Sequence, residues 1–330
     1  MILPGSDPDA LARAADVLAS GGLVGFPTET VYGLGARADD DAAVAAIFAA
    51  KGRPTDHPLI VHVADQAHAT RFAAELPAVA RRLMNKLWPG PLTLIVWRAP
   101  HVATAAAGGH ASIGLRCPAH PVAQALLAAA HARGVAGIAA PSANRFGRIS
   151  PTRAAHVAAE FGEDLLVLDG GACQVGIESA IVDCTQARPV LLRPGALTRQ
   201  QIEAAAGEAL HQSDALSARA PGTLEAHYAP RARLRVMSHE ALAAALQVLG
   251  PAAPGVAVYS RTALEALQLQ GSSNPRFRTM PDDAAAAGHE LFAVLRELDA
   301  TGAPLIWVEQ PPDTPPWEGV RDRLQRAAAA

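Results

Sequence analysis

Residues 10–28, ALARAADVLASGGLVGFPT, join a helix-like stretch to a short apolar run and so decide the fold class. The same change recurs between DAAVAAIFAAKG (41–52), which is typical of a helix, and PLIVHVAD (58–65), which is typical of a strand. Alternation of this kind predicts an α/β fold built on a mixed, twisted sheet with flanking helices. Further strand candidates are PLTLIVW (91–97), ASIGLR (111–116), GIAAPSAN (137–144), LLVLDGG (165–171), SAIVDC (179–184) and PVLLRPG (189–195).

The alternation also divides the chain into domains. A helix with Thr198 as N-cap and Gly207 as its stop closes the first unit, so we predict a domain over residues 1–207. Residues 208–231 contain APGTLEAHYAPR, whose prolines interrupt regular structure, and we interpret them as a linker. Residues 232–330 repeat the alternation on a smaller scale, which predicts a compact, Rossmann-like α/β domain.

Composition excludes several classes of protein. Lys and Arg number 28 against 31 Asp and Glu, and this net charge of -3 argues against a protein that coats nucleic acid. The three cysteines lack CxxC spacing, so we expect a reducing cytoplasm and neither a disulfide framework nor a structural zinc site. We expect neither a signal peptide nor a membrane span. The sequence also lacks GxxxxGK[ST], HExxH and GxSxG, the signatures of P-loop kinases, zinc proteases and serine hydrolases.

Two polar loops adjoin the apolar runs, KGRPTDHPLIVHV (51–63) and PSANRFGRISPT (141–152). Lys51 and Arg53 in the first are cations suited to phosphate groups. The second loop supplies short hydrogen-bonding side chains: Ser142, Asn144 and Ser150. Loops at strand ends are where α/β proteins bind ligands, so these residue types predict a nucleotide site without a Walker motif.

Each loop also has a structural interpretation. Lys51 and Arg53 lie where cations complement the carbonyl end of a helix, and for these two residues alone that interpretation is favoured. Ser150 fits the N-cap of a helix whose first residue is Pro151. The second interpretation is compatible with ligand binding, because a capped helix start is itself able to hold an anion.

The segment PTETVYGLGA (27–36) leaves two interpretations open. Thr28 and Thr30 can hydrogen-bond a small polar substrate, with Gly33 and Gly35 allowing the backbone to approach it. The alternative is a tight strand-to-helix turn with exposed threonines. The segment lacks the third glycine of a dinucleotide fingerprint, which disfavours a Rossmann cofactor site here.

Arginines and histidines close several of the apolar runs. Arg116 and Arg193 each end such a run, and the repeated pattern favours binding of an anionic ligand. His57 and His62 flank PLIV at a spacing that puts them on opposite faces of an ideal strand, which disfavours a shared metal site. A histidine near a strand is more often structural than catalytic.

Taken in their order along the chain, the motifs resemble those of the threonylcarbamoyl-AMP synthases in their long form. This form has a YrdC-like catalytic domain and an additional C-terminal domain. The resemblance covers the first predicted domain and the linker, and the closing DRLQRAA (322–328) extends it to the second domain. The segments that carry it are FPTETVYGLGA (26–36), KGRPTDHPLIVHV, LWPGPLTLI (87–95), ASIGLRCPAHP (111–121), APSAN (140–144) with SPT (150–152), GIESAIVD (176–183), LLRPGAL (191–197) and HYAP (227–230).

The resemblance implies condensation of L-threonine, bicarbonate and ATP to threonylcarbamoyl-AMP and pyrophosphate, with Mg²⁺ accompanying ATP. It implies Lys51 and Arg53 as catalytic residues. The threonine contacts that it implies are Thr30, His62, Arg116 and Ser179. The ATP contacts that it implies are Lys51, Arg53, His57, Ser112, Ser142, Asn144, Ser150, Arg193 and the linker residue Tyr228. No metal ligand is implied, and the linker is expected to close over the site as a lid.

The chain departs from the family pattern at two positions. His57 stands where asparagine is common, and Ala180 follows Ser179 where threonine is usual. His57 keeps the capacity to donate a hydrogen bond, so we retain it as an ATP contact, and we assign nothing to Ala180. The family also implies that the product feeds the modification of an adenosine beside the anticodon of certain tRNAs, with a tRNA-modifying complex as downstream partner and tRNA contact as an open question.

Two other functions compete with this one. The first alternative is a YrdC-like module that recognises structured RNA through a basic face and performs no chemistry. ATP-dependent pyrophosphate release distinguishes it from the synthase. The hydrogenase-maturation carbamoyltransferases also carry a YrdC-like domain. They have additional acylphosphatase-like and zinc-finger parts, for which this chain lacks the length and the cysteines.

Overall fold

A computed structural model describes residues 1–213, 217–250, 255–266 and 274–330. Two compact units divide the described chain. The first comprises Met1–Phe146 with Ser150–Thr223, and the second comprises Gly147–Ile149 with Leu224–Ala330. Among the described residues, no helix combines the length and the apolar character that crossing a membrane requires.

The first unit is built on an eleven-stranded mixed sheet. Its strands are β1 (Ile2–Pro4), β2 (Val24–Phe26), β3 (Gly33–Arg37), β4 (Ile60–His62), β5 (Leu92–Trp97), β6 (Ser112–Arg116), β7 (Ile138–Ala139), β8 (Leu166–Asp169), β9 (Ala180–Asp183), β10 (Val190–Arg193) and β11 (His211–Gln212). Their order is β1-β8-β2-β3-β7-β4-β6-β5-β9-β10-β11. Parallel pairs such as β4 with β6 alternate with antiparallel pairs such as β5 with β6.

Helices complete the first unit, and their apolar sides form its core. They are α1 (Pro8–Ala19), α2 (Asp41–Lys51), α3 (Gln66–Ala69), α4 (Ala78–Leu87), α5 (Pro121–His131), α6 (Ala154–Phe161) and α7 (Arg199–Ala206). Leu18 of α1 and Leu126 of α5 lie in one buried cluster with Phe26 of the sheet. As predicted, Thr198 caps α7 and Gly207 ends it.

The second unit has a four-stranded parallel sheet in the order β12-β15-β13-β14. Its elements are β12 (Arg233–Met237), α8 (His239–Leu249), β13 (Val256–Ser260), α9 (Ala263–Ala266), β14 (Phe277–Thr279), α10 (Ala284–Ala300), β15 (Leu305–Glu309), a 3₁₀ turn (Pro315–Trp317) and α11 (Glu318–Ala328). A large mixed sheet followed by a smaller parallel one confirms the predicted fold class.

The structure corrects two local predictions. The segment 27–36 is not a strand-to-helix turn, because it joins β2 to the antiparallel β3, and Thr28 and Thr30 are buried. Residues 208–231 are not wholly irregular, because β11 lies within them and pairs in parallel with β10.

The helix predicted from Pro151 begins later than expected. Helix α6 starts at Ala154, and Ser150 is not its N-cap. The Pro151 carbonyl accepts a hydrogen bond from Tyr32 N at 2.8 Å, and the Thr152 carbonyl accepts one from the backbone of the loop before β9 at 3.0 Å. These residues therefore pair with neighbouring loops, which holds them out of the helix.

Candidate active site

Neighbouring strand ends bring three charged or polar side chains into one buried place. Strands β4 and β6 are parallel, and His62 lies opposite Arg116 in their register. Glu29 follows β2, and its Oε1 lies 2.9 Å from Arg116 Nη2. All three residues are buried, with Glu29 6% and Arg116 3% exposed. A site at the ends of sheet strands is where α/β proteins place ligands.

These side chains have polar atoms that the described residues do not satisfy. Both carboxylate oxygens of Glu29, Nδ1 of His62, and Nε and Nη2 of Arg116 make no hydrogen bond of good geometry to any described residue. Leaving a buried polar group unsatisfied costs about 1–3 kcal/mol. The arrangement therefore suits a small ligand that carries both a positive and a negative charge.

His62 is held in its neutral form. Burial, followed by the positive charge of Arg116, lowers the pKa of His62 from 6.5 to about 3. The edge of its ring packs against Phe26, with the ring centroids 5.9 Å apart. A neutral imidazole both donates and accepts hydrogen bonds, so His62 suits a hydroxyl or amine group.

We expect this histidine to reduce stability at acid pH. The unfolded chain takes up a proton below pH 6.5 whereas the folded chain does so only near pH 3, so stability falls as pH drops through this window. Relative to His62→Gln, the wild-type free energy of unfolding should fall by about 2 kcal/mol between pH 7 and pH 5. Urea denaturation at the two pH values measures this. The exposed His211→Gln serves as control, and parallel pH curves for wild type and His62→Gln would contradict a depressed pKa.

Small hydroxyls are buried in the same unit. Thr30 Oγ1 lies 2.9 Å from Thr28 Oγ1, and Ser179 Oγ lies 2.8 Å from Thr93 Oγ1. Arg193 donates to the Ser179 carbonyl through Nε at 3.1 Å and Nη2 at 2.9 Å, and Nη2 also donates to Ser179 Oγ at 3.3 Å. Ser179, predicted for threonine, and Arg193, predicted for ATP, are thus in direct contact.

Lys51 joins helix α2 to the loop that carries the neutral hydrogen-bonding groups. The helix ends at Lys51 because Gly52 takes the left-handed conformation, with φ of 63°, that glycine adopts readily. Lys51 Nζ then donates to the carbonyls of Ser142, at 2.6 Å, and Asn144. Burial, and then the positive charge of Arg53, hold the pKa of Lys51 well below its usual range. The Glu160 carboxylate acts in the opposite direction, and a bound anion would favour the charged form of Lys51 further.

Arg53 and His57 share an aromatic neighbour. The Arg53 guanidinium lies 5.6 Å from the centre of the Phe146 ring, and the His57 ring lies 5.5 Å from it. Arg53 Nη2 also donates to the Pro58 carbonyl at 3.1 Å. Partial burial, and then Arg53, lower the pKa of His57 below 6.5. His57 lies outside β4, so the opposite-face argument for His57 and His62 does not apply.

Sequence reasoning missed two acidic residues. Glu29 stands between the threonines of the 27–36 segment, and Glu178 directly precedes Ser179. The buried Ser150 hydroxyl donates to Glu178 Oε1. The available signal for both was an acidic residue within a motif that is otherwise apolar or rich in hydroxyl groups. Since a carboxylate is rarely buried without a partner, a carboxylate in such a motif indicates either an exposed turn or a paired, buried group.

Ser112 and Tyr228 are the remaining residues predicted to contact ATP. Ser112 begins β6 opposite Trp97 and is half-buried. Tyr228 belongs to the second unit, where its buried ring lies 5.4 Å from Phe292 and has the Arg323 guanidinium 5.6 Å from its centre. Its role as an ATP contact stays a prediction.

Two family models match the chain. One, described as telomere recombination, matches residues 16–195, and one described as the threonylcarbamoyl-AMP synthase C-terminal domain matches residues 197–329. A threonylcarbamoyl-AMP synthase of Pyrococcus abyssi is 38% identical over 96% of this chain and 93% of its own length. One from Bacillus subtilis is 38% identical over 98% of this chain and 94% of its own length. The chain belongs to the threonylcarbamoyl-AMP synthase family.

Solved structures agree with this assignment. P. abyssi Sua5 in complex with L-threonine matches with a TM-score of 0.86 and 36% identity, over 96% of this chain and 94% of that one. A double-alanine variant of P. abyssi Sua5 matches with a TM-score of 0.87 and 34% identity, over 99% and 96% of the two chains. As a family member, the chain is an enzyme of the nucleotidyltransferase type. This assignment favours catalysis over the alternative of an RNA-binding module without chemistry.

Proposed function

We propose that the chain condenses L-threonine, bicarbonate and ATP to threonylcarbamoyl-AMP and pyrophosphate. The observation that carries this proposal is the buried site of Glu29, His62 and Arg116, whose unsatisfied atoms suit a small zwitterion. The threonine complex of the P. abyssi relative supports the choice of amino acid.

Threonine binding follows from the side chains present. Arg116 binds the substrate carboxylate, since a guanidinium matches the two oxygens of a carboxylate. Thr30, Ser179 and the neutral His62 are hydrogen-bonding groups suited to the substrate hydroxyl. Ser179 also connects this part of the site to Arg193.

ATP binding and adenylyl transfer involve the cationic part of the site. The threonine ammonium gives a proton to bicarbonate, which becomes carbon dioxide and water. The neutral amine then adds to carbon dioxide and releases a second proton to solvent. A carbamate oxygen then attacks the α-phosphorus of ATP, so that pyrophosphate leaves. Lys51, Arg53 and Arg193 stabilise the negative charge on the transferring group, and positioning provides the rest of the catalysis. Further ATP contacts in this proposal are Ser142, Asn144, Ser150, Ser112, His57 and Tyr228.

We also propose that Mg²⁺ accompanies ATP, with most of its ligands supplied by phosphate and water. The Ser150 hydroxyl and Glu178 carboxylate are oxygen donors of the type that Mg²⁺ prefers. When bound, the ion would neutralise phosphate charge.

The product is an activated carbamoyl group, and we propose that it passes to the complex that modifies an adenosine beside the tRNA anticodon. We place the reaction in the cytoplasm, and the three free, buried thiols Cys117, Cys173 and Cys184 fit a reducing compartment.

Pyrophosphate release tests the proposed function. Purified protein with ATP, Mg²⁺ and bicarbonate should release pyrophosphate only when L-threonine is also present. Serine differs from threonine by one methyl group, so its kcat/KM should be lower by a factor of about 10–200. Release that is independent of threonine or of bicarbonate would contradict the proposal. No release from protein that still binds ATP would favour the RNA-binding alternative.

A further inference from the structure

The geometry of the buried Glu29–Arg116 ion pair leaves polar atoms of both side chains able to bind a further group. Arg116 Nη2 and Glu29 Oε1 are 2.9 Å apart, yet neither oxygen of Glu29 accepts a well-aligned hydrogen bond from a described residue. Nε and Nη2 of Arg116 likewise lack an acceptor of good geometry there. Buried ion pairs that serve stability have their remaining lone pairs and protons hydrogen-bonded. This pair therefore has capacity for a further ligand on both partners.

Arg116 is the charged partner recorded for Glu29 among the described residues. Besides Arg116, the titratable side chains that sense this charge include His120, Cys117 and Cys173. Burial raises the pKa of both thiols and lowers the pKa of His120, so each is held toward its neutral form. A positively charged ligand group would complete the environment of the carboxylate.

The backbone holds Glu29 in a fixed place. Its carbonyl accepts a hydrogen bond from Val175 N at 2.8 Å. On either side, Thr28 Oγ1 accepts from Thr30 N and Val31 N at 3.2 Å and donates to the Val31 carbonyl at 2.7 Å. A carboxylate on so constrained a turn is preorganised, which is how binding sites limit the entropy lost on association.

We propose that Glu29 binds the α-ammonium group of threonine while Arg116 binds the α-carboxylate; the inference rests on the proposed function. An amino acid bears these two charges on one carbon, and the Glu29–Arg116 pair presents the complementary charges 2.9 Å apart. On binding, Arg116 contacts the substrate carboxylate and Glu29 contacts the substrate ammonium group. Because the substrate is a zwitterion, no net charge enters the buried site. Once the ammonium has lost a proton to bicarbonate, Glu29 keeps in place the amine nitrogen that forms the carbamate.

A positioning role for Glu29 is the alternative that must be distinguished. If Glu29 only orients Arg116, its loss weakens every ligand that carries a carboxylate. If Glu29 binds the ammonium group, its loss weakens only ligands that carry an amine. Two analogues separate these cases: (3R)-3-hydroxybutyrate keeps the hydroxyl and carboxylate of threonine without the amine, and L-threoninamide keeps the amine without the carboxylate.

The experiment is calorimetric titration of the full chain, by competition for the weaker ligands. Glu29→Gln should bind L-threonine and L-threoninamide about 10- to 100-fold more weakly than wild type, since a charge-assisted hydrogen bond is lost. Its affinity for (3R)-3-hydroxybutyrate should not fall and should rise if anything, because Arg116 still binds the carboxylate and the neighbouring negative charge of Glu29 is gone. Weaker binding of threonine and (3R)-3-hydroxybutyrate with unchanged L-threoninamide affinity would mean that Glu29 only orients Arg116 and would overturn the inference. Equal weakening for all three ligands, or unchanged affinity for threonine, would overturn it as well.

Controls separate this result from misfolding and from failure of the proposed function. Glu75→Gln removes an exposed carboxylate of the same unit and should leave all three affinities unchanged. Glu29→Asp keeps the charge and should recover part of the lost threonine affinity, which a general loss of structure does not explain. If wild-type protein neither binds threonine nor releases pyrophosphate, the proposed function itself fails. Wild-type threonine binding with an unaltered Glu29→Gln overturns the Glu29 assignment alone.

Discussion

Lys51→Met is expected to lower kcat for pyrophosphate release by about 10²–10³, the loss typical of removing one preorganised donor from a developing anion. Methionine keeps most of the apolar volume at this buried position but removes the ammonium group. In the wild-type protein, Lys51 Nζ donates to the carbonyls of Ser142 and Asn144. When protonated, it places a positive charge beside the loop predicted to bind the nucleotide. Steady-state pyrophosphate release with saturating ATP, threonine and bicarbonate measures the effect.

The alternative is that Lys51 only fixes that loop, and the pH dependence of catalysis separates this alternative from a role of its charge. Burial and Arg53 depress the pKa of Lys51, so the ammonium form is lost as pH rises through a value below the usual 10.5. If charge matters, wild-type kcat/KM for ATP falls along this basic limb, and Lys51→Met, already slow, shows no such fall. Lys86→Met, at an exposed lysine, is the control. Near-wild-type turnover of folded Lys51→Met would exclude the catalytic role.

Local patterns predicted those features that depend on neighbours in the chain. Helix α2 ends at Lys51 because Gly52 can adopt a positive φ, and both residues are adjacent in sequence. The capping of α7 by Thr198 is equally local. Arg116 and Arg193 each end a strand as the apolar runs indicated. Such features follow from side-chain chemistry within one turn or one strand.

The connections between these elements were beyond sequence reasoning. Lys51 donates to the Ser142 carbonyl, which is 91 positions away. His62 meets Arg116 because β4 pairs with β6 across the sheet, although β5 lies between them in the chain. Nothing local indicates which strands will be neighbours, since that depends on the packing of the whole unit.

The role of Glu29 illustrates the same limit for charge. Its position between two threonines suggested a polar turn, but the burial of its carboxylate depends on Arg116 from a distant strand. The start of α6 was misplaced for a similar reason, since Pro151 is engaged by the backbone of Tyr32. Motifs identified the residue types of the site, and tertiary pairing decided which of them meet.

Arg116→Met is expected to reduce the free energy of unfolding by about 3–5 kcal/mol, because it leaves the Glu29 charge buried without its partner. Glu29→Met combined with Arg116→Met replaces both charged side chains by apolar ones, and most of the lost stability should return, since replacing a whole buried pair by hydrophobic residues is often nearly neutral. Urea denaturation followed by circular dichroism measures both variants. The exposed Arg13→Met should unfold like wild type.

This double-mutant cycle separates what the pair does for folding from what it does for threonine. The double variant should recover stability yet still bind threonine poorly, because both groups that match the zwitterion are gone. Recovery of both properties would mean that the pair is only structural. A double variant as unstable as Arg116→Met would mean that the guanidinium stabilises the fold through other contacts. The expected split, stability regained and affinity lost, would place the pair in the binding site.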